Sequence, residues 1–155
     1  MRLLLDTQVA LWWLTASARL PQASRELMAT SPCAVSVASI WEVALKHRLG
    51  KLPVSPRRFR DEMRAAGATV LSVTDEHVLV TMDMPDAHRD PFDRLLLSIA
   101  EAEHLVVRSG RGVLHGPCAD VVGRGGPGGI RGVAPGASLL VPRIDRKRIA
   151  FSGEQ

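Results

Sequence analysis

Tyrosine is absent from the 155-residue chain, and aromatic residues make up only 4% of it. Cysteine occurs twice, at Cys33 and Cys118, with no CxxC pair and no Cys/His cluster. Neither a disulfide framework nor a structural zinc is therefore expected, and a reducing compartment fits. Long apolar runs are missing too. The opening MRLLLD meets Asp6 before a signal-peptide core could form, and no stretch approaches a membrane span. A cytoplasmic protein with no membrane partner is the expectation. No GxSxG, Walker A or strand-following GxGxxG pattern is present, and His47, His77, His88, His104 and His115 share no HxxxH spacing. Serine-hydrolase, P-loop, dinucleotide and zincin chemistries lose their usual signatures.

What is there is an uneven charge. The formal net charge is +4, but residues 1–105 hold 12 Lys/Arg against 13 Asp/Glu, whereas residues 106–155 hold 8 against 3. The second stretch also carries 11 of the 13 glycines, in runs such as Gly123-Arg124-Gly125-Gly126-Pro127-Gly128-Gly129. Such runs cost too much backbone entropy to form stable helix or strand. A boundary near Arg108 divides a core, 1–108, from an irregular Gly/Pro/Arg-rich tail, 109–155.

Within the core, short apolar runs alternate with helical patterns. Arg2–Asp6, Cys33–Val37, Thr69–Val73 and Leu105–Arg108 read as strands by apolar or β-branched content. Helices are expected over Thr7–Ala16, after Pro21, over Ala38–Leu49 with Gly50 as its stop, from Pro56 to Gly67, and over Asp75–Asp83. In the helix from Ala38, the face of Ile40, Trp41, Ala44 and Leu45 is expected to be apolar. A last helix starts at Asp90-Pro91, where Phe92, Leu95, Leu96, Ile99 and Ala100 recur at helical spacing behind a natural N-cap. This alternation predicts an α/β domain with a mostly parallel central sheet and helices on both faces. Ligands of such sheets bind beyond the carboxyl ends of the strands.

Three acidic positions fall at that edge. Asp6 closes the first strand, Glu42 lies early in the helix from Ala38, and Asp90 and Asp93 flank the start of the last helix. Each has an ordinary explanation: Asp6 as a helix-start acid, Glu42 as the i,i+4 partner of Lys46, Asp90 as a cap. Asp93 is explained least well, because a dipole contribution of roughly 0.3–1 kcal/mol is its only local reward. Gathered together, these carboxylates would repel one another unless a cation neutralised them. A hard ion such as Mg²⁺ or Mn²⁺ takes oxygen ligands and phosphates, which points to phosphodiester chemistry. Trp12, Trp13 and Trp41 read as core or partner-facing aromatics.

The stretches LLLDTQVALWWL, SIWEVALKHRLGKL and HRDPFDRLLLSIAEAEHLVV resemble the PIN-domain ribonucleases, specifically the VapC-type toxins of bacterial toxin–antitoxin pairs. The resemblance runs in the family's order from about Arg2 to Arg108. It implies a PIN-like fold, Mg²⁺- or Mn²⁺-dependent cleavage of RNA, a homodimer, and inhibition by a cognate VapB-like antitoxin. On that mapping Asp6, Glu42 and Asp93 are the acids that hold the metal. Asp90 is the accompanying acid of the DPFDR motif, and Arg94 either orients the site or approaches phosphate, or lies on a solvated helix face or pairs with Asp90.

The chain departs from the family pattern where the last strand ends. A fourth acid is expected there, and Ser109 stands in its place; Asp120 is a conceivable substitute. Ser109 to His115 can be encoded so that a frame one base later reads R-D-A-A-F-S, which restores the family-like acid. An out-of-frame tail is one reading. The other is a basic extension that binds RNA through phosphates. Two rivals to an active toxin follow: an impaired homologue that binds antitoxin or RNA without efficient cleavage, and an RNA-binding module that uses the tail.

Overall fold

The structure is a computed structural model, and it describes residues 1–84, 90–110 and 112–114, the last three by backbone alone. Asp120 and the remainder of the tail lie outside the described residues. Among the described residues, five strands form one sheet in the order β3-β2-β1-β4-β5: β1 Leu3–Leu5, β2 Cys33–Ser36, β3 Thr69–Leu71, β4 Val106–Ser109 and β5 Gly112–Leu114. The first four run parallel, with rungs such as Leu3↔Cys33, Ala34↔Thr69 and Leu5↔Arg108. The last returns antiparallel on β4, pairing Val107 with Leu114. This hairpin strand lies past the expected end of the ordered core.

Six helices among these residues cover the sheet: α1 Thr7–Leu14, α2 Gln22–Thr30, α3 Val37–Arg48, α4 Pro56–Ala65, α5 Asp75–Asp83 and α6 Pro91–Ala102. Strand alternation sorts the two faces. Leu3, Leu5, Cys33 and Val35 point into one cluster with Val9, Trp13, Val43, Phe59 and Met63. Leu4, Ala34 and Val107 point into the other, against Leu96, Leu97, Ile99 and Ala100 of α6. The α/β architecture is therefore as the alternation of patterns predicts. The inward face of α3 is not. It buries Ala38, Ser39 and Val43, while Trp41 is 57% and Leu45 40% exposed. Bulk alone misleads here because α3 packs closely on α1, α4 and α6, where small residues fit.

Four helices end in the same Schellman arrangement. In α3 the Lys51 N–H donates to the Lys46 carbonyl and the Gly50 N–H to His47, with Gly50 at φ 69°. Gly67 closes α4 in the same way at φ 88°. In α1 and α6 the left-handed position is held by Ala16 (φ 49°) and His104 (φ 53°), each carrying a Cβ that crowds the following carbonyl. The expectation that α1 runs to Ala16 fails for that reason: without a glycine, the stop leaves no mark in the sequence. The same geometry gives opposite outcomes on substitution. His104→Gly is expected to raise stability by about 0.5–1 kcal/mol and Gly50→Ala to lower it by about 1 kcal/mol, read as chemical-denaturation midpoints at constant slope.

Candidate functional site

The site is built outward from β1. Asp6 follows Leu5 in extended conformation (φ −60°, ψ 147°), so it keeps the alternation and shares the side of Leu4, toward α6. Its backbone N–H donates to the Arg108 carbonyl at 3.0 Å, and its side chain accepts from the Gln8 N–H at 3.2 Å, capping α1. Ser109 lies one step past the Leu5↔Arg108 rung, level with Asp6 and on the side of Val107. The position where a fourth acid is expected is thus beside Asp6, and a buried serine fills it.

Two helices bring further acids to this edge. Ser36 ends β2 and caps α3 by accepting from the Ala38 N–H at 3.0 Å, which starts α3 at the edge and puts Glu42 in its second turn. Asp90 caps α6 by accepting from the N–H groups of Phe92 (2.8 Å) and Asp93 (3.3 Å). Pro91 supplies the fixed first-turn φ, and Asp93 stands partly buried in that turn. Arg94 reaches back to α5, donating to the Thr81 (2.5 Å) and Met84 (3.1 Å) carbonyls, so it ties two helices together. Trp41 packs on Phe92 with centroids 5.2 Å apart and planes tilted 55°, which joins α3 to α6 one residue before Glu42 and Asp93.

The electrostatics show which charges reach Asp6. Burial holds the Asp6 carboxyl above its ordinary value of 3.8, against the pull of the Gln8 N–H. The like charges of Asp93 and Glu42 push the same way, and Lys46 opposes them. Asp6 is therefore within the field of both Asp93 and Glu42. Helical spacing assigns Lys46 to Glu42 alone, with which it forms an ion pair at 2.5 Å; its action on Asp6 is the feature that sequence spacing misses. Two hydroxyls are missed as well. Thr7 Oγ1 and Ser39 Oγ are buried without hydrogen-bond partners among the described residues. Thr7 follows Asp6, and Ser39 stands one turn before Glu42, so adjacency is the available signal.

The acids at this edge offer oxygen donors only, and two of them add to burial in raising the pKa of the third, Asp6. Such a donor set fits a hard divalent cation better than a soft one. The Cys33 thiol, pushed up to about 12 by burial, is no competing thiolate ligand. Among the described residues no group of three His, Cys, Asp or Glu side chains is drawn together closely enough to hold a metal ion. The Glu42 carboxylate is turned onto Lys46 instead. Among the described residues, too, no helix is long and apolar enough to cross a membrane.

Comparison with known proteins identifies the family. The PIN domain family model matches residues 3–110. The chain belongs to the PIN domain family. Its fold also resembles a chain in the crystal structure of VapBC2 from Rickettsia felis bound to a DNA fragment from their promoter. The TM-score is 0.50 at 13% identity, over 69% of this chain and 86% of that one. No protein of curated function matches the sequence. PIN domains are in general nucleases and typically depend on divalent metal.

A buried acid with a raised pKa weakens the metal-free fold as pH rises. The folded chain holds the Asp6 proton more tightly than the unfolded chain, so stability falls between 3.8 and the raised value and stays lower above it. Asn keeps the cap on α1 without the charge. Asp6→Asn is accordingly expected to melt higher than the parent at pH 7 in chelator, with the gap closing below about pH 4. Equal melting temperatures at pH 7 would contradict a raised pKa of Asp6 in the folded chain.

Proposed function

We propose that this PIN domain is the toxin of a toxin–antitoxin pair, a VapC-type endoribonuclease that hydrolyses RNA phosphodiester bonds with Mg²⁺ or Mn²⁺. The observation that supports the reading is that Asp6, at the carboxyl edge of β1, lies in the field of both Asp93 and Glu42. Asp6, Glu42 and Asp93 would hold the metal. When bound, the ion supplies an activated water and stabilises charge developing on the phosphorus oxygens. The chain's own contribution is placement. Asp90 fixes the start of α6 and hence Asp93; Ser36 fixes the start of α3 and hence Glu42; Arg94 holds α6 to α5. The resemblance of three sequence stretches to VapC-type toxins and the fold likeness to a VapBC2 chain support an antitoxin partner. The exposed α3 row of Val37, Trp41, Leu45 and Leu49 offers an apolar face for that antitoxin or for a second copy in a homodimer. The reading places the protein in the cytoplasm.

The test is cleavage of RNA by the full chain. Activity is expected with Mg²⁺ or Mn²⁺, to vanish in chelator, and to fall about 100-fold or more in Asp93→Asn. Cleavage indifferent to chelator or to Asp93→Asn overturns the mechanism. Ser109 in place of a fourth acid favours one second reading, an impaired homologue that binds antitoxin or RNA without efficient cleavage; parent and Asp93→Asn that are equally inactive, with antitoxin binding retained, would select it.

For the tail we propose out-of-frame translation beginning near Arg108. The family match stops at residue 110, close to the change in composition. The DNA of codons 108–115 decides: an Asp codon is expected in the frame one base later, and a sequence that yields none there removes the idea.

A further inference from the structure

We infer that the C-terminal end of α3, the turn after it and the outer face of α4 form the surface on which the sugar–phosphate backbone of single-stranded RNA docks; this deepens the nuclease reading and rests on it. The sequence segregates charge within the core. Residues 46–64 carry seven Lys/Arg against two Asp/Glu, while the rest of residues 1–105 carries five against eleven. The domain thus has one basic band in an otherwise acidic body.

The structure leaves the basic residues of this band exposed. The Schellman turn at Gly50 folds Lys51 back over α3 through its bond to the Lys46 carbonyl, and His47 Nδ1 meets the Leu52 carbonyl at 2.9 Å. Helices α3 and α4 pack on each other. In α4, Phe59, Met63 and Ala66 face the core, which turns Arg57, Arg60, Asp61 and Arg64 outward as one i, i+3, i+4, i+7 row. Asp61 is bound by Arg60 at 2.8 Å, and its carboxyl is held below the ordinary range first by that bond, then by the fields of Arg60, Arg64 and Arg57. The second acid, Glu62, faces Arg58 at 3.8 Å. Among the described residues Arg48, Lys51, Arg57 and Arg64 have no carboxylate at ion-pair distance, and all four are exposed.

The row sets three cations around one carboxylate, so Asp61 offsets part of their repulsion and a net positive charge is left over. A polyanion complements it. Repulsion from Asp6, Asp93 and Glu42 opposes the approach of phosphate, and a compensating positive surface acts only within about one Debye length, about 8 Å at physiological salt. From Glu42 to Arg48 the rise along α3 is about 9 Å, and Lys46 bridges the interval by touching Glu42. The band begins where the acids end.

The probe is a 5′-fluorescein, 20-nucleotide single-stranded RNA of mixed sequence. Its binding to the full chain is followed by anisotropy over a series of KCl concentrations in chelator. The variant Arg48→Gln/Lys51→Gln/Arg57→Gln/Arg64→Gln is expected to lower the slope of log affinity against log salt by about 2.8, since each phosphate no longer neutralised subtracts about 0.7. A charge-matched variant of the tail, Arg143→Gln/Arg146→Gln/Lys147→Gln/Arg148→Gln, is expected to leave the slope unchanged. All four band positions are exposed, so melting temperatures should match the parent; if the quadruple variant unfolds, Arg57→Gln/Arg64→Gln is read instead, with an expected drop of about 1.4. An unchanged slope, an equal drop in both variants, or a parent that does not bind the RNA overturns the inference. So does a band variant that keeps RNA binding and loses the cognate antitoxin, which would make the band a protein-docking face. Because the readout needs no cleavage, a parent that binds as expected but never cuts refutes the nuclease reading and leaves the band standing.

Discussion

A three-residue strand with no exposed side chain sets the conditions for everything else in this domain. Leu3, Leu4 and Leu5 are buried between two helical layers, and their strict alternation commits the next residue to the side of α6. That residue is Asp6. Its carboxylate is partly withdrawn from water, crowded by two other acids, and compensated by one backbone N–H and one distant lysine. A carboxylate in that position opposes folding unless something positive joins it. The tension is confined to the sheet's carboxyl edge, where the two core clusters no longer need to be apolar.

Helix starts bring the other acids to the same edge of the sheet. Ser36 and Asp90 each cap a helix whose first turns reach the edge, and capping by a side-chain oxygen is worth about 1 kcal/mol, more than the roughly 0.3–1 kcal/mol available to Asp93 from the helix dipole. Capping therefore dictates where the helices begin, and the carboxylates are carried along. Asp90 illustrates the division of labour: it belongs to the same short motif as Asp93, yet its oxygen is occupied by two backbone N–H groups while Asp93 acts on Asp6. The Trp41–Phe92 contact completes the arrangement by fixing α3 against α6 beside the two acids they carry.

Helix beginnings are legible in the residues because their signals are chemical: Asp90-Pro91, Ser55-Pro56 and Asp75 all mark observed starts. Ends are legible only where glycine stands. Gly50 and Gly67 announce the ends of α3 and α4, whereas Ala16 and His104 adopt the same left-handed conformation with no residue-type signature. The inward face of α3 is not legible from apolar bulk, because tight packing selects Ala38, Ser39 and Val43 and leaves Trp41 and Leu45 outside. The acids themselves can be named from their places at strand and helix ends. Their mutual influence cannot, since it depends on how closely α3 approaches α6, a distance set by contacts between residues remote in sequence.

Lys46 is the residue on which the two charge regions turn. It neutralises Glu42 by direct contact, acts on Asp6 at longer range, and forms the first member of the basic band that continues through Arg48 and Lys51. One ammonium cannot fully serve all three. With Glu42 as its partner it offsets one of the acids at the edge. Lys46 therefore stands at the junction between the acids of the sheet edge and the basic residues that follow it in sequence.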